Sequence, residues 1–402
     1  MASAAQNSGD SLSVHQVLCR WAPAYLAQFG TAMPSRQREV LQRLLACRTP
    51  ALGGAHHHCP QCDHRHFSYH SCNDRHCPQC GGQDTQQWLI DNAALLLPVN
   101  HFLVTFTVPE ALRRWIRSHP AIAYELLLRA SSQALQDLAK NPKRLGATLG
   151  LLGVLHTWTR TLEYHPHVHF LVPGGGLSLD QRQWISSRPK FLLPVKALSD
   201  RCRTLFAEAL QKRMPEALAD LPAKVWTQRW VVHSAAVGSG QKALSYLSRY
   251  VFKTATGNRH LQLLPNGRLR WPFRQSATGA WRHIELQPFE FLRRFLQHVL
   301  PASFHRVRRF GWWHPGARAK LKRVRALLKL PPLLSPAEQA AWAPPARNPQ
   351  YSPGAAPQAE VLKSAPLRCP HCGSKLVMIG QWHPQPWLRN SLPPVQRTAR
   401  PP

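Results

Sequence analysis

Two stretches, Leu149-Gly-Leu-Leu-Gly-Val-Leu-His-Thr-Trp158 and His165-Pro-His-Val-His-Phe-Leu-Val172, decide the fold. Each reads as a strand, and the short polar segment between them reads as a turn. In the second, the period of two places His165, His167 and His169 on one face and Val168 and Phe170 on the other, toward a core. The pair ends at Pro173-Gly-Gly-Gly176. Upstream, His101-Phe-Leu-Val-Thr-Phe-Thr-Val-Pro109 is a third strand, closed by proline. Residues 120–140 repeat Ile122, Leu126, Leu127, Ala130, Leu135 and Leu138 at helical spacing. Strands with helices between and after them predict an α+β sheet domain. Imidazoles two apart on a rigid strand can share a divalent ion; the alternative is an edge strand with surface histidines.

The chain has 402 residues, enough for two or three domains. Lys and Arg number 51 against 19 Asp and Glu, a formal charge of +32. That surplus calls for a polyanion, and a phosphate backbone is the commonest one. With 44% hydrophobic residues the chain is not a disordered basic tail. No apolar run approaches the ~20 residues of a membrane span, so no membrane partner and a cytoplasmic location are expected.

Five of the ten cysteines fall between Cys59 and Cys80. Cys59-Pro-Gln-Cys62 and Cys77-Pro-Gln-Cys80 are identical knuckles, 14 residues apart, a spacing at which two tight turns can deliver four thiolates to one structural Zn2+. His64, His66, His70, Cys72 and His76 lie between them as surplus ligands. A late pair, Cys369-Pro-His-Cys372, is half a site that needs His383, another chain or an incomplete shell. Three segments follow: 1–98, helical and zinc-binding; 99–304, the sheet domain; and 305–402, a basic tract with a proline-rich extension.

Tyr246-Leu-Ser-Arg-Tyr250 sits in a helical context, 241–253, entered from Gly238-Ser-Gly240. Tyrosines at i and i+4 share a helix face, here with Lys242 and Lys253 and flanked by Arg249. Such a pair can be half-buried core aromatics, or phenols set beside a phosphodiester. Residues 305–329 interleave nine Lys or Arg, Arg308 and Arg309 among them, with Phe310, Trp312 and Trp313. This is a platform for single-stranded nucleic acid, or a cationic helix whose Leu321, Val324 and Leu328 stripe packs inward with the tryptophans in the core.

The order of these motifs resembles one family. Ser71-Cys-Asn-Asp-Arg-His-Cys-Pro-Gln-Cys80, Leu155-His-Thr-Trp158, His165-Pro-His-Val-His169 with Val172-Pro-Gly-Gly-Gly-Leu177, and Tyr246-Leu-Ser-Arg-Tyr250 are similar to the two-tyrosine rolling-circle insertion-sequence transposases, members of the His-hydrophobic-His (HUH) endonucleases. The resemblance implies an antiparallel sheet with the His strand central and the Tyr helix beside it. It implies that His167 and His169 hold catalytic Mg2+ or Mn2+ and that Tyr246 and Tyr250 are nucleophiles forming 5′-phosphotyrosine links. Folding the hairpin about residue 162 sets His156 opposite residue 168 and makes it the favoured third ligand, ahead of Glu163 and His165. Single-stranded DNA at element ends and target, host helicase or replication machinery, and a nucleoid-associated location go with this reading. Alternatives are a plasmid or phage replication initiator and a non-catalytic zinc-dependent DNA-binding regulator.

Overall fold

The structure is a computed structural model describing residues 10–80, 82–251, 258, 260–275, 278–331 and 367–383, with only the backbone described at 82–84, 249, 250 and 260. Five strands form the central sheet: β1 (His101–Thr107), β2 (Gly150–Trp158), β3 (Tyr164–Pro173), β4 (Val231–Ala236) and β5 (Val307–Gly311). Their spatial order is β4-β1-β3-β2-β5, antiparallel throughout. Helix Pro120–Lys140 connects β1 to β2, and helix Val195–Arg213 connects β3 to β4. The first four strands thus have the split β-α-β-β-α-β connectivity, which leaves the His strand β3 in the middle.

Strand alternation gives the sheet two different faces. On one, Phe102, Val104, Phe106, Leu151, Leu155, Val168, Phe170 and Val172 bury against both connecting helices. Gly153 is required there, because a Cβ would come within 2.7 Å of the Phe170 ring. Leu152, Val154 and Leu171 face the other way, under Ala243, Leu244 and Leu247 of the helix Gln241–Val251 and against Trp312, Trp313, Leu321 and Val324. His156, His167 and His169 belong to this second face.

A second core joins chain segments far apart in sequence. Helices Val14–Phe29 and Ser35–Ala46 pack on helix Pro288–Leu296 and on a sheet ordered Asp10–Ser13, His260–Leu263, Leu269–Arg274, Trp281–Leu286. Ser13 caps the first helix, accepting from Gln16 N–H while the Gln16 side chain accepts from Ser13 N–H. A three-stranded sheet, Val377–Trp382, Gly54–His58, Arg65–Tyr69 in that order, carries the first knuckle. Residues 260–296 thus pack with the N-terminal helices, and 307–311 of the basic tract forms an edge strand of the central sheet.

Trp312 and Trp313 are buried, at 1% and 3% exposure, and the Trp312 indole N–H donates to the Thr148 carbonyl at 2.9 Å. Their rings cannot stack on bases, so the core alternative holds for both. Replacing Trp312 with alanine is expected to cost about 3–5 kcal/mol in denaturant unfolding. A surface platform residue would change stability by less than about 0.5 kcal/mol.

Candidate metal centres and tyrosine site

The site begins with the register of the β2–β3 hairpin. His156 pairs with His167, Val154 with His169 and Leu155 with Val168, with a bulge between His156 and Trp158. The expected pairing of His156 with residue 168 is thus off by one. The physical reason is the bulge together with Leu162, which turns the chain at φ 61°. The difference matters because directly opposed residues share a face, and pairing with Val168 would have put His156 among the core side chains. The tip of the hairpin is held from outside. Arg294 donates to the Thr161 carbonyl at 2.9 Å, Gln297 to the Leu162 carbonyl at 2.9 Å, and the Trp271 indole to the Arg160 carbonyl at 3.0 Å. Buried His298 donates from Nε2 to the Leu162 carbonyl at 3.1 Å and pairs through Nδ1 with the Thr157 hydroxyl at 3.2 Å. None of these clamps was singled out by sequence reasoning, since they come from a strand, a helix and the turn after it, all more than a hundred residues downstream.

His156, His167 and His169 each bring one ring nitrogen to within 4.8 Å of the others. The His167 Nδ1–H donates to the His165 carbonyl at 2.6 Å, which leaves Nε2 as its lone-pair nitrogen. His169 Nδ1 is 2.7 Å from the Thr105 hydroxyl of β1, and its buried Nε2 has no hydrogen-bond partner among the described residues. Burial holds His167 down to about 4 and His169 to about 3, and it also holds His156 well below the usual imidazole range, with repulsion from His169, His167 and Arg306 added. Three neutral imidazoles converging with a buried, unpartnered nitrogen fit a divalent cation. His165 and Glu163 lie outside this cluster.

Tyr246 extends from the helix over the cluster. Its ring centre lies 6.0 Å from that of His169 and 6.3 Å from that of His156, and it is 38% exposed. The side chains of Tyr250 and Arg249 and the whole of Lys253 lie outside the described residues. Lys242 is exposed one turn before Tyr246. The two arginines of β5 diverge: Arg308 opposes Gly153 and lays its guanidinium over Phe304, on the face away from the imidazoles. Arg309 opposes Leu152 on the imidazole face, where it donates to Asn92 at 2.9 Å.

The cysteines assemble differently from their local spacing. Cys77 and Cys80 join Cys47 and Cys72, while Cys59 and Cys62 join Cys369 and Cys372. Sulfur separations are 3.5 Å for Cys47–Cys80, 3.6 Å for Cys47–Cys77 and 3.8 Å for Cys72–Cys80. A tetrahedron of sulfurs around zinc has edges of about 3.8 Å, so four thiolates fit that ion. The expected single site of Cys59, Cys62, Cys77 and Cys80 is therefore replaced by two clusters. The reason is that the first knuckle belongs to the small three-stranded sheet, whereas the second is built into the helical core with Cys47 and Cys72. Between them, Arg75 donates to the Phe304 carbonyl at 2.5 Å, and His76 bridges Asp74 at 2.7 Å and the Leu300 N–H at 3.1 Å. These bonds dock the zinc loop on the approach to β5. Cys47 was missed in the sequence because it stands alone at a helix end. The available signal was that the three Cys-x-x-Cys pairs supply six thiolates, two short of two tetrahedra, with Cys47 and Cys72 among the four single cysteines left to complete them.

Two outcomes follow from these environments. The unfolded chain protonates histidines near pH 6.5, whereas His167, His169 and His298 remain neutral in the fold down to about 3–4. The unfolded state then binds more protons in that window, so stability is complete above pH 6.5 and falls as pH drops toward 4. Melting temperatures measured from pH 8 to 4 should show this slope, and His298→Gln should flatten it. Second, Cys47→Ala is expected to lose zinc from its cluster and to melt at lower temperature, whereas a mere core side chain would leave the zinc content unchanged.

Comparison with known proteins agrees with this construction. Residues 17–108 match the family model described as "Transposase zinc-binding domain", and residues 150–321 match the one described as "Putative transposase". The chain is 36% identical over 378 residues to "Putative transposase y4qJ" of Sinorhizobium fredii (strain NBRC 101917 / NGR234), covering 89% of this chain and 92% of that one. It is 30% identical over 364 residues to "Transposase for insertion sequence element IS801" of Pseudomonas savastanoi pv. phaseolicola, covering 84% and 82%. No solved structure matches the chain. No described helix is long and apolar enough to cross a membrane. The first knuckle and the cluster of Cys47, Cys72, Cys77 and Cys80 fall within the zinc-binding match, and the hairpin and tyrosine helix fall within the other; the chain belongs to the IS91/IS801 family of transposases.

Proposed function

We propose that the chain cuts and rejoins single-stranded DNA, moving an insertion sequence by a rolling-circle-like route, with Tyr246 and Tyr250 as nucleophiles. The observation that carries this reading is the Tyr246 ring over three imidazoles whose ring nitrogens converge within 4.8 Å. His156, His167 and His169 would hold a divalent cation, Mg2+ or Mn2+, which when bound polarises the scissile phosphate. Imidazole donors favour Mn2+ of the two. Thr105 and the His165 carbonyl orient His169 and His167 so that their Nε2 atoms remain available.

In the cleavage step the Tyr246 phenol loses its proton and its oxygen bonds to phosphorus. The bond from phosphorus to the 3′ oxygen breaks, and that oxygen takes up a proton to leave a free 3′-OH. Rejoining reverses the same bonds, so the link conserves the energy of the phosphodiester. Lys242, one turn from Tyr246, supplies a cation for the DNA backbone, as Arg249 and Lys253 do in this reading. The surplus of 51 basic over 19 acidic residues supports a polyanionic substrate. Host helicase or replication proteins would provide the single strand.

The test is incubation of the full chain with labelled single-stranded DNA of the element's own end, in Mn2+ or EDTA, on a denaturing gel. A metal-dependent covalent adduct is expected, weakened in Tyr246→Phe and absent in Tyr246→Phe/Tyr250→Phe. His169→Ala should lower cleavage by about 10²–10³-fold while DNA binding persists. An adduct that survives in EDTA or in the double variant defeats the mechanism. DNA bound without any adduct in Mn2+ leaves a non-catalytic DNA-binding role.

A further inference from the structure

The first knuckle and the late cysteine pair form matching halves of one site. In each, the amide of the leading cysteine donates to the carbonyl five residues on, Cys59 to His64 at 2.9 Å and Cys369 to Ser374 at 2.7 Å. The residue after each second cysteine is left-handed, Asp63 at φ 55° and Gly373 at φ 76°, and its amide returns to the leading cysteine's carbonyl. The halves face each other, with Cys59 and Cys372 sulfurs 3.5 Å apart and Cys62 and Cys369 sulfurs 3.6 Å apart. His64 stacks on His371 across the join, ring centres 4.1 Å apart.

Apolar burial does not account for this meeting. The core beside the site consists of Cys59, Cys369 and Leu376, while Val377, Met378 and Ile379 on the added strand are about half exposed. Burying one leucine offsets the backbone ordering of only about one or two residues, and seventeen are ordered over 367–383. Strand hydrogen bonds to Gly54–His58 and the Trp382 indole bond to the Pro50 carbonyl at 3.2 Å exchange with water and add modest net stability.

We propose that Cys59, Cys62, Cys369 and Cys372 bind a second zinc ion, separate from that of Cys47, Cys72, Cys77 and Cys80, and that this ion docks strand Val377–Trp382 on the zinc-binding domain. Each cysteine enters as thiolate and its proton passes to solvent. Half of the ligands lie outside residues 17–108, so the family's zinc-binding unit is completed here by the far end of the chain. The docked strand also sets Trp382 against Phe67 and Tyr69, ring centres 6.2 Å and 5.8 Å apart, finishing an aromatic surface on the three-stranded sheet.

Elemental analysis of the purified full chain tests this. Two zinc ions per chain are expected, falling to one in Cys369→Ser/Cys372→Ser, and the thiolate-to-metal absorbance of the Co2+-loaded protein should halve in the same variant. Trypsin should cut at Arg368 and Lys375 at least tenfold faster in the variant, with the melting of the central sheet unchanged. A variant that retains two zinc ions, or a wild-type chain that holds one, overturns the proposal. In the wild-type chain, chelator titration gives an independent reading: protection of Arg368 should vanish with the first zinc released. If it persists after all zinc is gone, docking does not depend on metal and the proposal fails.

Discussion

The alignment of two adjacent strands governs everything else in this protein. The side-chain period of a strand is two, so a slip of one residue between β2 and β3 would send His156 to the opposite face of the sheet. The cluster of three imidazoles exists only in the register that pairs His156 with His167. That register is maintained by bonds from Trp271, Arg294, Gln297 and His298 to the tip of the hairpin. The second core therefore acts as the jig for the imidazole cluster. Leu162 itself is buried in that core, which fixes the turn from its side chain as well as its backbone.

The sheet also separates two requirements that conflict. One face needs dense apolar packing and obtains it from helices 120–140 and 195–213. The other must bury neutral imidazoles yet leave a phenol half open to solvent. Helix Gln241–Val251 meets both needs by burying Leu244 and Leu247 while Tyr246, on the flank between, remains accessible. The zinc loop is coupled to this arrangement through Arg75 and His76, which reach Phe304 and Leu300 just before β5.

Much of this was legible where information is local. The period of two in His165–Phe170 and the helical repeat in 120–140 both follow from short-range patterns, and the structure has the strand and the helix there. The pairing of cysteines was not legible, because ligand choice depends on which sheet or core carries each knuckle. The identical Cys-Pro-Gln-Cys segments invite pairing by proximity; Cys47 has no local mark, and nothing local says which knuckle the pair Cys369 and Cys372 completes. The same limit explains the basic tract. Spacing alone could not say that Trp312 lies under Gly150 or that Arg308 and Arg309 are on opposite sides of a strand. Strands 231–236 and those within 260–286 were missed because polar and charged residues are interspersed among their apolar ones.

The two cysteine clusters differ in when they can be completed. Cys47, Cys72, Cys77 and Cys80 leave the ribosome together, within 34 positions. Cys369 follows Cys62 by 307 residues. At ~5–20 residues per second the first knuckle waits about 15–60 s for its partners. During synthesis the helical core thus closes around its sulfurs early, while Cys59 and Cys62 stand as an open half-site until Cys372 has been made. The join between them and Cys369 and Cys372 belongs to a later stage of assembly, after the central sheet has all five of its described strands.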